Sequence, residues 1–217
     1  MAENSFIYTF LSALLTLFPV LNPLSQGLII SGYLQGYEGA QIKTAGRKVL
    51  FNSLLICFGS LLLGHLILML FGLAVPVIQV GGGIIICKTG YDLLSSDDTS
   101  MVQSAMEGPR KSDRLFYPIS FPIAVGPGAI SVIFTLMATS AGDDILTTVI
   151  NYILMGVAMV LLLCAMYFVA VNGLRLMKKI GPSGNAIVNK LVAFLTFCIG
   201  IQILVTGIAK IFHLTVL

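Results

Sequence analysis

Six apolar stretches divide the chain, at 5–34, 49–71, 74–94, 115–139, 145–172 and 191–209. A hydrocarbon layer of roughly 30 Å takes about 20 helical residues to cross, and each stretch reaches that length. None alternates apolar with polar positions, as a half-buried strand would. An open sheet in lipid would also leave backbone N–H and C=O groups unpaired. The pattern predicts an all-α polytopic membrane protein with six transmembrane helices. The first stretch lacks a basic leading region and a small-residue cleavage motif, so it reads as a retained helix.

Charge sets the expected orientation. The segments after the first, third and fifth stretches carry Lys43, Arg47, Lys48, Arg110, Lys111, Arg114, Arg175, Lys178, Lys179 and Lys190, ten of the twelve basic residues. Lys210 falls on the opposite side and Lys88 lies within the third stretch. Positive charge collects on the cytoplasmic side, so both termini are expected outside.

The two halves echo one another. Phe18, Pro19 and Pro23 match Phe121, Pro122 and Pro127; Leu54, Leu55 and Cys57 match Leu161, Leu162 and Cys164; Val77, Cys87 and Leu93 match Val188, Cys198 and Leu204. Each half has an odd number of spans, so the second enters the membrane from the other side. The expected organisation is a first three-helix repeat (1–94), a cytoplasmic linker (95–114) and a second, inverted repeat (115–217). Asp97, Asp98, Glu107 and Asp113 make the linker polar.

The sharpest local feature is a pair of helix breakers at mid-span, FPVLNPLSQG at 18–27 and FPIAVGPGAIS at 121–131. Proline removes a donor, clashes with the preceding turn and restricts the residue before it. Both stretches are therefore expected to unwind for a turn or more, as broken helices or as re-entrant hairpins. Pro23 should open a new half-helix capped by Asn22, and Pro127 another after Gly126. Such helix starts offer free N–H groups and roughly half a positive charge each, suited to a carboxylate. Carbonyls freed around 18–21 and 121–125 would suit an ammonium. A small zwitterionic solute meets both needs, with Asn22, Pro23, Leu24, Ser25, Gly126, Pro127, Gly128, Ala129 and Ser131 as the expected binding positions. Gln26 adds an amide nearby, and Gly128 is expected to let the ligand approach the backbone.

Other polar positions are less specific. His65 is an intramembrane histidine, a side-chain type able to take up a proton near neutral pH, and Lys88 and Asp92 stand one turn apart. All three are candidates for proton coupling or gating, although interhelical bonding and snorkelling also explain them. Asn52, Ser53, Gln79, Asn151, Asn172 and Gln202 read as interhelical glue, and Gly81, Gly82 and Gly83 as a surface for close helix packing.

Composition narrows the function. Of 217 residues 57% are hydrophobic and 10% charged, and mean hydropathy is +1.00. A net charge of +3 scattered through loops does not fit nucleic acid. Cys57, Cys87, Cys164 and Cys198 lie in apolar stretches without CxxC spacing, which reads as packing rather than metal or disulfide chemistry. No catalytic triad, HExxH or deep carboxylate pair is present, so an enzyme is not expected. The partners expected are lipid and a small solute, with no cofactor; oligomeric state stays open.

The NP step at Asn22 and Pro23, VGPGAIS at 125–131, GGGI at 81–84 and IQILVTGI at 201–208 together resemble the MarC family of bacterial inner-membrane proteins. The chain differs from the family pattern at Gln26, Gly27 and Gln79. The resemblance implies transport of small neutral amino acids such as glycine and alanine across the inner membrane, with proton coupling an open option. It points to Asn22, Pro23, Gly126, Pro127 and Gly128 as substrate-site positions. A passive channel, or an exporter for another small polar solute, fits the same residues.

Overall fold

The computed structural model describes residues 2–34, 37, 39–95, 115–140 and 144–213. The linker at 96–114, with Arg110, Lys111 and Arg114, lies outside the described residues, as do the side chains of Arg175, Lys178 and Lys179. Helical backbone covers Ala2–Leu21 (α1), Pro23–Tyr33 (α2), Gly39–Leu70 (α3), Val75–Ser95 (α4), Phe116–Ala124 (α5), Pro127–Thr139 (α6) and Ile145–Ile211 (α7). Five helical segments are long and apolar enough to cross a membrane, six when the bent pair α5 and α6 is counted as one span. The protein is an all-α polytopic membrane protein.

Several boundaries follow directly from local chemistry. Asp144 caps α7 by accepting from the Thr147 N–H at 3.1 Å. Hydrogen bonding to Thr147 holds the Asp144 carboxyl below its usual range. Gly72, at φ 62°, ends α3 in a left-handed turn. The Gly72 N–H donates to Met69 at 3.2 Å and the Leu73 N–H to Leu68 at 2.9 Å, satisfying carbonyls the helix leaves open. That turn reverses the chain into α4. At its other end α3 begins at Gly39, ten residues before the apolar stretch does, because helical backbone continues through the polar turns where water and headgroups replace lipid.

The backbone of α7 is helical over 67 residues, which would be about 100 Å if straight. It is not straight. Gly27 of α2 packs on Val169, while Ser25, two residues earlier, bonds Asn189 at 2.7 Å. Twenty residues of straight helix would separate Val169 from Asn189 by about 30 Å, so the chain doubles back between them, where Gly181, Pro182 and Gly184 occur. The two crossings of α7 are Ile145–Gly173 and Asn189–Ile211.

Glycine governs how closely the crossings approach. Gly83 and Gly90 of α4 face Leu204 and Phe197, and Gly200 and Gly207 face Cys87 and Gln79. A Cβ at Gly83 would lie 2.7 Å from the Leu204 nitrogen, so any side chain would force the antiparallel pair apart. Gly82 turns the other way, onto Ser131 of α6, while Gly81 meets nothing. The glycine run thus serves two neighbours of α4, as small residues do where packing rather than hydrophobicity joins helices. Cys57 is buried in the core and Cys87 donates to the Phe197 carbonyl at 3.7 Å. Cys164 and Cys198 face outward, so packing does not account for them. Leu62, Met69 and Phe168 are likewise exposed, as lipid-facing side chains are.

Candidate functional site

The first break is a single residue. Asn22 takes the left-handed conformation (φ 39°, ψ 66°), which asparagine tolerates better than most residues. Its side-chain oxygen accepts from the Ser25 N–H at 3.2 Å, and Pro23 occupies the first helical position, where a missing N–H costs nothing. The expected turn or more of unwound chain is not there. Asn22 itself donates to the Phe18 carbonyl at 2.8 Å, Gln26 donates to the Asn22 carbonyl at 3.0 Å, and Pro19 sits inside α1. Two of the carbonyls expected to be free for an ammonium are engaged: Phe18 by Asn22, and Pro19 by the Thr196 hydroxyl at 2.9 Å.

The second break is wider. α5 is a π-helix with non-helical angles at Tyr117 and Phe121, and Val125 and Gly126 are extended. The Val125 N–H reaches back to the Ser120 carbonyl at 3.0 Å, and the Ser120 hydroxyl donates to Leu115 at 2.7 Å. Between α5 and α6 the axis turns by 53°. α6 starts at Pro127 with Gly126 at its cap, so no side chain satisfies its first turn. A bend of this size suits a broken span or a re-entrant loop equally.

The two broken elements lie side by side. α1 packs on α6 and α2 on α5, so they run antiparallel and the two helix starts face opposite sides of the membrane. Asn22 is only 2% exposed, yet its Nδ2 has no partner. Buried polar groups are rarely left unpaired, and each exception requires an explanation. Of the other expected binding positions Pro23, Ser25, Gly128, Ala129 and Ser131 are buried, Leu24 and Gly126 half-buried, and Pro127 exposed.

Two expected contacts are spent on packing instead. The space a side chain at Gly128 would occupy holds Ile86, 2.9 Å from the ideal Cβ, so this glycine admits α4 rather than a ligand. The Ser131 hydroxyl donates to the Ile78 carbonyl at 2.9 Å and rests on Gly82. His65, Lys88 and Asp92 are exposed, and Lys88 and Asp92 form no ion pair. As interhelical glue, Asn151 qualifies by donating to the Ser140 carbonyl at 2.9 Å. Asn172 and Gln202 do not, since they bond Phe168 and Thr206 one turn away on their own helix. Ser53 Oγ and Gln79 Oε1 are buried without partners.

Sequence reasoning missed Asn189 and Thr196. Both come from the last crossing and close on the first break, through Ser25 and the Pro19 carbonyl respectively. The one available signal is faint: polar residues recur at Asn189 and Thr196, two turns apart on one helix face, in an otherwise apolar run.

Comparison with known proteins agrees with this architecture. A family model described as "MarC family integral membrane protein" matches residues 7–212. The chain is 29% identical to the UPF0056 membrane protein YvbG of Bacillus subtilis (strain 168), covering 91% of this chain and 93% of that one. It is 24% identical to the UPF0056 inner membrane protein MarC of Escherichia coli O157:H7, with the same coverage of both. No solved structure matches.

Proposed function

Because this chain belongs to the MarC family of integral membrane proteins, with inner-membrane proteins among its relatives, we propose that it is a secondary transporter of small neutral amino acids. The observation that carries the proposal is the antiparallel pair of restarted helices with the unpaired Asn22 amide at the first start. In transporters built from inverted repeats, half-helix N-termini at the bilayer midplane hold anionic groups of the substrate. Here the uncapped first turn of α6 supplies N–H donors and partial positive charge for a carboxylate, while the start of α2, its Ser25 and Gln26 N–H groups taken by Asn22, adds mainly partial positive charge. The Asn22 Nδ2 supplies one further donor. With the Phe18 and Pro19 carbonyls engaged, the Ser25 hydroxyl and the Asn189 amide are the better-placed partners for an ammonium.

The organisation we infer is two inverted halves, 1–94 and 115–217, joined by 95–114, with both termini on the outer side. Matching pairings support it: α4 packs antiparallel on Asn189–Ile211, and α3 on Ile145–Gly173 through Gly46 with Tyr167 and Phe58 with Gly156. Each span thus lies against its own counterpart, as a two-fold axis in the membrane plane requires. The polar ends rich in Lys and Arg set the orientation.

Purified protein in liposomes, loaded with unlabelled alanine or glycine, should take up the labelled form by saturable exchange. Conductance without saturation would replace the carrier by a channel, and no flux of any small neutral amino acid, with or without a proton gradient, would overturn the proposal.

A further inference from the structure

α3 has 32 residues, about 48 Å of helix, against roughly 30 Å of hydrocarbon. Its apolar part, 51–70, already spans the lipid core, so the turns before it stand in the headgroup layer. There a cavity of about 400 Å³ opens between α3 and the start of α5, lined by Thr44, Arg47, Lys48, Asn52, Phe51 and Phe116 among others. A second hollow of about 280 Å³ shares Thr44, Lys48 and Leu115 with it.

The lining is built for an amphiphile. Among the described residues no carboxylate lines either hollow, and neither Arg47 nor Lys48 has an ion-pair partner. A guanidinium and an ammonium therefore share one concave surface, with the Asn52 amide one turn deeper. A snorkelling cation on a smooth helix face would have water on all sides; these two line the same cavity. Toward the lipid, Phe51 is 62% exposed and Phe116 54% exposed, flanking the cavity where acyl chains begin. Arginine presents a planar fork matching two phosphate oxygens, and lysine adds a point charge.

We propose that this cavity binds the phosphodiester headgroup of an anionic membrane phospholipid, with Arg47 and Lys48 on the phosphate and Phe51 and Phe116 against the acyl chains. The site is separate from the helix starts and does not depend on transport. Free phosphate carries the same charge but lacks the chains, so the two sources can be told apart.

The test uses full-length protein, delipidated in detergent, with phosphatidylglycerol and phosphatidylcholine added back and binding read by native mass spectrometry alongside melting temperature. Wild type should prefer phosphatidylglycerol, and Arg47→Gln/Lys48→Gln should lose that preference by about tenfold or more. Lys43→Gln, an exposed cation outside both hollows, should keep it. The double variant should melt as wild type does without lipid, since both side chains are exposed. A double variant with its preference intact, or an equal loss in Lys43→Gln, overturns the site. Inorganic phosphate protecting wild type as well as the lipid does would make it a free-anion site and overturn the lipid assignment.

Discussion

The Ser25 hydroxyl donates to the Asn189 side-chain oxygen at 2.7 Å, joining two positions 164 residues apart. The bond ties the first turn of α2 to the beginning of the last crossing, where Lys190 also donates to the Leu94 carbonyl at 2.7 Å. One end of the final crossing is thus fastened to both α2 and α4.

Removing either partner of that bond should cost about 0.5–1.5 kcal/mol. Ser25→Ala and Asn189→Ala combined should cost much less than their sum, because one interaction is lost in all three variants. Unfolding of the singles and the double in detergent checks this, and strict additivity would mean that the two side chains act independently.

At Asn22 fold and function separate cleanly. Asn22→Ala removes the cap and puts a residue without asparagine's tolerance into the left-handed region, for about 1–3 kcal/mol. Asn22→Gly keeps the backbone conformation and should cost a few tenths of a kcal/mol. Uptake should fall in both, since both lack the buried Nδ2. Normal uptake by the glycine variant would remove that amide from the substrate's contacts.

Adjacent glycines should respond oppositely. Gly81→Ala adds a methyl group into open space on a helix and should stabilise by up to about 1 kcal/mol. Gly83→Ala pushes a methyl group to 2.7 Å from the Leu204 nitrogen and 2.9 Å from the Gly200 carbonyl. Overpacking against backbone should destabilise by about 1–3 kcal/mol. Melting temperatures of the two variants decide it.

His65→Gln, Lys88→Gln and Asp92→Asn should each leave uptake and its pH profile within about twofold of wild type, as substitutions at exposed positions generally do. A shifted pH profile in His65→Gln would restore that histidine to a coupling role.

The spans were legible because lipid imposes a length and an apolar composition that little else requires. The helix starts at Pro23 and Pro127 were legible too, since proline fits the first helical position and breaks later ones. The width of each break was not. Whether Phe18 and Pro19 present free carbonyls depends on Asn22 folding into the left-handed region and on Thr196 arriving from the far end of the chain. Gly128 posed the same difficulty: a glycine that admits a ligand and one that admits Ile86 look identical in one dimension. Asn189 lies two residues before the apolar run at 191–209, so its polarity alone does not mark it as part of the crossing.

The restarted helices are short, 11 residues in α2 and 13 in α6, or about 16 and 20 Å. Neither rod reaches across the whole oily layer; each covers little more than one leaflet. Each therefore starts inside the oily layer, where no water is at hand to take up the N–H groups that its first turn leaves over.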